Sequence, residues 1–145
     1  SDMFFIGRGI DYSVSMEGSL KMKEISYIHS EAYPAGELKH GTISLITEGT
    51  PVFAIITDPN LAEKSLLAVH EVASRGAEVY IISTDQISRE HKLPQCEKII
   101  LPDAPEHLRP IVAATAIQLL AYFTAKEKGL DVDKPRNLAK SVTVE

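Results

Sequence analysis

A chain of 145 residues is long enough for one domain with a hydrophobic core of its own. With 44% apolar and 24% charged residues it has the composition of an ordinary soluble globular protein, and a net charge of -5 argues against a nucleic-acid partner. No uninterrupted apolar run approaches the roughly 20 residues a bilayer demands, no secretory leader is visible, and the single Cys96 cannot form an internal disulfide. The expectation is a cytoplasmic protein with no membrane partner.

In chain order, residues 3–6 read as a short buried strand stopped by Gly7-Arg8-Gly9. Residues 12 to about 30 have helical character, 32–36 read as a loop around Pro34 and Gly36, and 37 to about 46 as a short helical or turn segment. Residues 51–57 form a second apolar strand. Asp58 or Asn60 is expected to cap a helix that runs to about residue 75 and ends at Gly76. Residues 78–83 and 98–101 are a third and a fourth strand, and a helix from about 108 to 128 is closed by Gly129. Short strands that are apolar on both faces, alternating with helices, predict a three-layer, doubly wound parallel α/β sandwich of the flavodoxin type. Such sheets bind ligands at the carboxyl ends of their strands, which puts Gly7-Arg8-Gly9, Thr57-Asp58 and Ser83-Thr84 on the expected rim.

Three groups of residues carry chemistry. Glu17, Lys21 and Glu24 recur at i, i+4 and i+7, so they share one helix face between Val14 and Ile25 on one side and Met16, Leu20 and Tyr27 on the other. That stripe is either a surface salt-bridge ladder or the lining of a cleft. His40, next to Gly41 after a Pro/Gly loop, is either an ordinary loop histidine or a proton carrier near neutral pH. Gly7-Arg8-Gly9 between a strand and a helix could cradle a phosphate, although Tyr12 breaks the full glycine pattern. No cluster of Cys and His has metal-ligand spacing, and no organic cofactor is implied. A polar tail without periodicity, residues 130–145, follows the last helix and carries Lys140 beside Ala139.

Two long stretches carry a resemblance. Glu17-Gly18-Ser19-Leu20-Lys21-Met22-Lys23-Glu24, continuing to Gly36-Glu37-Leu38-Lys39-His40-Gly41, is similar to the signature of the second sugar-isomerase (SIS) half of the glucosamine-6-phosphate synthase family. Asp133-Lys134-Pro135-Arg136-Asn137-Leu138-Ala139-Lys140-Ser141-Val142-Thr143-Val144-Glu145 resembles the family's extreme C-terminus. The resemblance spans effectively the whole chain, read as a single SIS domain over residues 1–145, excised from a longer protein.

The resemblance implies conversion of fructose 6-phosphate and glutamine-derived ammonia into glucosamine 6-phosphate. Lys140 would form a Schiff base with the open-chain sugar, and Glu24 would move a proton between C1 and C2. His40 would assist ring opening from the partner subunit of a homodimer. Glu17 and Lys21 would support these steps, and Ala139 would offer a backbone contact to the sugar. An upstream SIS half and a glutaminase domain of the same polypeptide are the implied partners, and the main phosphate-binding cluster would lie in that upstream half. Asp11, at the start of the first helix, suits a phosphate poorly, and without the upstream phosphate cluster and an ammonia source this half alone is expected to turn over negligibly. Two rival readings share the fold: a non-catalytic sugar-phosphate-sensing module, and an enzyme that deglycates or deaminates amino-sugar phosphates.

Overall fold

Along the first strand the side chains alternate between two cores. Phe4 and Ile6 point to one face of a sheet and Phe5 to the other, all nearly inaccessible. A computed structural model describes residues 2–136. Its elements are β1 (Met3–Gly7), α1 (Ile10–Lys21), β2 (Ser30–Pro34), β3 (Pro51–Ile56), α2 (Ala62–Ala73), β4 (Glu78–Thr84), α3 (Asp85–Glu90), β5 (Glu97–Leu101) and α4 (Arg109–Glu127). All neighbouring strands run parallel in the order β2-β1-β3-β4-β5, the flavodoxin-like order. On one face α2 and α3 bury Leu66, Val69, Val72 and Ile87 against Phe4, Val52 and Ile81. On the other, α1 and α4 bury Val14, Ala113, Ile117 and Ala121 against Phe5, Phe53 and Ile82. The doubly wound three-layer sandwich is therefore what forms.

The four apolar strands stand where the sequence predicts them. The region after α1 differs. The first helix stops at Lys21, continues as a wider π-type turn over Met22–Ser26, and gives way to an additional edge strand, β2, where a helix end and a loop are predicted. Ser30-Glu31-Ala32-Tyr33-Pro34 lacks the apolar run of the inner strands because it lies at the sheet edge, where proline and charge are tolerated. Asp58 and Asn60 do not cap α2. Its N-cap is Leu61 without a side-chain bond, and Asp58 Oδ1 instead accepts from the Asn60 N–H at 2.9 Å. The short α3, capped by Thr84 Oγ1, is also absent from the sequence reading. Gly76 and Gly129 follow α2 and α4 as expected.

By length and mean hydropathy (1.3), Glu106–Glu127 would be enough to cross a bilayer, which the count of uninterrupted apolar runs misses. A core helix passes the same test, and Ala113, Ile117, Ala121 and Ala125 are fully buried in the sandwich.

One glycine decides how closely the α1 layer sits. A Cβ on Gly18 would lie 2.9 Å from Phe5 Cε1 and 3.1 Å from Ile117 Cγ2. The Phe5 ring stacks on Phe53 at 5.2 Å, and Phe53 on Tyr80 at 4.7 Å, so it has little room to retreat. Gly18→Val is expected to lower the urea midpoint by the equivalent of about 1–3 kcal/mol, with an unchanged m-value. Gly18→Ala should be milder, since alanine regains up to about 1 kcal/mol of helix propensity.

Candidate functional site

The topology has one switch point, between β1 and β3, where the connections leave in opposite directions. The glycine-rich turn lies there for a steric reason: a Cβ on Gly7 would come within 2.5 Å of the Asp11 carbonyl, which is backbone and cannot move aside. The turn does not hold an open anion site. Asp11, only 2% exposed, fills the crevice with its own carboxylate. Its Oδ2 accepts from the Thr57 N–H at 2.7 Å and its Oδ1 from the Thr57 hydroxyl at 2.5 Å. Burial pushes the Asp11 pKa above its ordinary value, partly offset by the bonds from Thr57. The remaining rim hydroxyls are committed as well. Ser83 Oγ donates to the Ile56 carbonyl at 2.7 Å, and Thr84 caps α3. Arg8 Nε is buried without a hydrogen-bond partner.

The charged stripe is assembled at the other end of the sheet. Since α1 starts at the carboxyl rim and returns the chain to the start of a parallel strand, its last turn lies at the amino edge. There Lys21 Nζ donates to Glu24 Oε2 at 2.6 Å and lies 3.5 Å from Glu17 Oε1. All three side chains are partly covered, with 29% of Lys21, 23% of Glu24 and 37% of Glu17 left accessible. The contact with Glu24, then the charge of Glu17, holds the Lys21 pKa above its usual value, so the ammonium stays charged beside two carboxylates. The ladder is real, but ladders of this kind stabilise a helix by only a few tenths of a kcal/mol. Of the expected apolar flanks, Val14 is buried, whereas Met16 and Leu20 are more than 40% exposed and form surface, not a cleft wall.

The turn bearing Glu24 is braced. Ser26 Oγ donates to the Met22 carbonyl at 2.6 Å, and Lys128 Nζ at the end of α4 donates to the Ser26 carbonyl at 2.5 Å. Wider π-type turns of this sort recur at functional sites.

His40 is not brought to this cluster. It is exposed, with Glu37 Oε2 at 3.9 Å as its ionic neighbour. The adjacent Leu38 is buried in the core on the α2 side, while Met22 beside Glu24 is buried in the core on the α1 side. The sheet separates the two within one chain. Ala139 and Lys140 lie outside the described residues. Among the described residues, no three His, Cys, Asp or Glu side chains are grouped to hold a metal ion. Cys96 is half-buried, and burial pushes its thiol pKa up.

Sequence reasoning gave Tyr27 only as an apolar flank and assigned Arg136 no role; Tyr27 has a left-handed backbone (φ 56°), and Arg136 contacts it. Neither has a local sequence signal, because they are 109 positions apart.

The SIS domain profile matches residues 1–125. The glutamine–fructose-6-phosphate aminotransferase [isomerizing] of Caldanaerobacter subterraneus subsp. tengcongensis is 55% identical over 145 residues, 99% of this chain and 24% of that protein. The chain thus spans about a quarter of the length of the curated relatives it matches. Among solved structures, the C-terminal domain of glucosamine-fructose-6-phosphate aminotransferase from Francisella tularensis superimposes with a TM-score of 0.86 at 37% identity, over 92% of this chain and 37% of that one. Glucosamine-6-phosphate deaminase from Thermotoga maritima gives a TM-score of 0.74 at 27% identity, over 99% and 40%. With the profile covering most of its length, the chain belongs to the SIS domain family.

Proposed function

We propose that this chain is the C-terminal sugar-isomerase half of a cytoplasmic glutamine–fructose-6-phosphate aminotransferase, supplying catalytic groups for making glucosamine 6-phosphate. The observation that carries this reading is the partly covered Glu17–Lys21–Glu24 cluster on a braced turn, within a chain 55% identical to such an enzyme. In the proposed chemistry the Lys140 amine adds to the C2 carbonyl of open-chain fructose 6-phosphate and expels water, giving an imine. Ammonia supplied by the upstream glutaminase domain then adds at C2 and expels the lysine amine, and Glu24 takes a proton from C1 of the resulting C2 imine and returns it at C2, giving the aldose amine. Lys21 is read as the cation that lowers the pKa of that amine. Ala139 would contact the sugar through its backbone.

Phosphate grip is assigned to the upstream half, since Asp11 occupies the switch point here. The exposed apolar side of α4 supports that association. Ile99, Leu101, Ile111, Leu119 and Phe123 line an open groove of about 640 Å³, of a kind that marks protein contact. His40, separated from Glu24 by the sheet, fits a contribution to the site of a second copy, which makes the working form a homodimer.

Fructose 6-phosphate and borohydride, followed by peptide mass spectrometry, test the reading. In the polypeptide with its upstream half, a reduced adduct is expected on Lys140 and is lost in Lys140→Ala. An adduct spread over surface lysines, or none, would refute the imine site. Release of ammonia from glucosamine 6-phosphate without synthesis would instead favour the deaminase reading, which the 27% identical relative keeps in view.

A further inference from the structure

The turn that carries Glu24 is wider than an α-helical one, and its closure runs through the Met22 carbonyl. In a regular helix that oxygen would take the Ser26 N–H, four residues on. Here the Tyr27 N–H reaches it, five residues on, and the Ser26 hydroxyl donates to the same oxygen at 2.6 Å. A serine hydroxyl bonded to its i−4 carbonyl competes with the backbone ladder and bends a helix, so Ser26 favours the wide turn over the regular one. Met22 and Ser26 are both 0% exposed, and Ile25 packs against the same core as Met22. Three of the five residues of the turn are thus anchored inward, while Glu24 keeps 23% of its side chain accessible. The Ser26 carbonyl, one of those left over at a helix end, accepts from Nζ of Lys128, the residue that follows α4. Ser26 therefore joins the end of α1 to the end of α4, two positions from Glu24.

We propose that Ser26, held by Lys128, is a positioning residue that sets the direction in which Glu24 leaves the helix, and so its aim at the substrate carbon. This inference rests on the reading of Glu24 as the proton carrier. Proton transfer needs the reacting atoms about 3 Å apart, and a misplacement of about 1 Å can cost on the order of 10²-fold in rate. The Lys21 contact does not supply that precision, because Lys21 lies one turn back on the same helix and both side chains travel with it. The Ser26 contacts reach a second helix, a fixed point outside the turn. Without the hydroxyl, the Met22 carbonyl is free to take the Ser26 N–H. The turn can then tighten to the regular form and rotate Glu24 about the helix axis.

Steady-state kinetics of glucosamine 6-phosphate synthesis by the full-length polypeptide test the role. Ser26→Ala is expected to lower kcat about 10–100-fold with KM for fructose 6-phosphate within about twofold of the parent. Ser26→Thr keeps a hydroxyl able to bond the i−4 carbonyl and should recover most of that loss. Lys128→Met keeps the stem at an exposed position, removes the ammonium, and should lower kcat about three- to tenfold. It carries the same test should Ser26→Ala fail to fold. In a Glu24→Gln background, Ser26→Ala should change kcat by less than about twofold, since a residue that acts through Glu24 has nothing left to position. The full loss recurring in that background would show general damage to the fold and overturn the positioning role. So would parental kcat in both Ser26→Ala and Lys128→Met. Parental kcat in Glu24→Gln itself would instead refute the proton-carrier reading, and with it the step that Ser26 is proposed to serve.

Discussion

Glu24→Gln is expected to reduce synthesis of glucosamine 6-phosphate by the full-length polypeptide about 10²–10⁴-fold, with little change in KM for fructose 6-phosphate. Glutamine keeps the size of the side chain and can still accept from Lys21 Nζ, now 2.6 Å from the carboxylate oxygen it would replace. It cannot take a proton from carbon. The substitution therefore removes proton transfer while leaving the braced turn in place. A loss confined to kcat is the signature of a group used in the transition state and not in ground-state binding. Borohydride trapping separates this step from the one before it. In the proposed chemistry the imine forms on the Lys140 amine, so the adduct should persist in Glu24→Gln and vanish in Lys140→Ala. Retention of near-parental kcat would remove Glu24 from the proton path. Loss of both adduct and turnover would mean that Glu24 acts on the amine of Lys140 itself.

The spacing of Glu17, Lys21 and Glu24 was legible in the sequence, and so were the four strands that are apolar on both faces. Their relation to the rest of the site was not. The carboxyl-rim rule directs attention to Gly7, Thr57 and Ser83, yet the charged cluster is at the amino edge. That placement depends on β2, because only a parallel edge strand starting at Ser30 forces α1 to end beside the strand starts. β2 is short, half-polar and ends in proline, so its pattern resembles a loop. The conformation and partner of Tyr27 were not legible for a different reason. Its left-handed backbone follows from the π-type turn before it, and its partner comes from the far end of the chain. Local propensity carries no information on either point. The separation of His40 from Glu24 is likewise a property of the layering. One sees it only when Leu38 and Met22 are found in different cores.

Asp11 is the residue for which the sequence suggested an obstacle and the structure shows a use. Asp11→Ala is expected to destabilise the fold by about 2–5 kcal/mol, because it strands the buried Thr57 N–H and hydroxyl and leaves a void at the β1–β3 switch point. Asp11→Asn should be far milder. The amide oxygen can accept from the Thr57 N–H, and the amide nitrogen can donate to a Thr57 hydroxyl that has turned around. The pH dependence has a definite sign. Burial raises the folded-state pKa of Asp11 above the ordinary 3.8, so the folded chain holds the proton more tightly than the unfolded chain. Ionisation of Asp11 thus opposes folding, and this penalty is absent below pH 3.8 and grows as pH rises through the folded pKa. Urea midpoints measured from pH 3.5 to 7 should therefore move in favour of Asp11→Asn, relative to the parent, as pH increases. A shift in favour of the parent would mean that the Thr57 bonds and the N-terminal dipole of α1 outweigh the desolvation of the carboxylate. In that case Asp11 would be a buried anion stabilised by its hydrogen bonds. Either result bears on the proposal that phosphate is held by the upstream half: a carboxylate bonded by Thr57 leaves neither Thr57 donor free for a second anion.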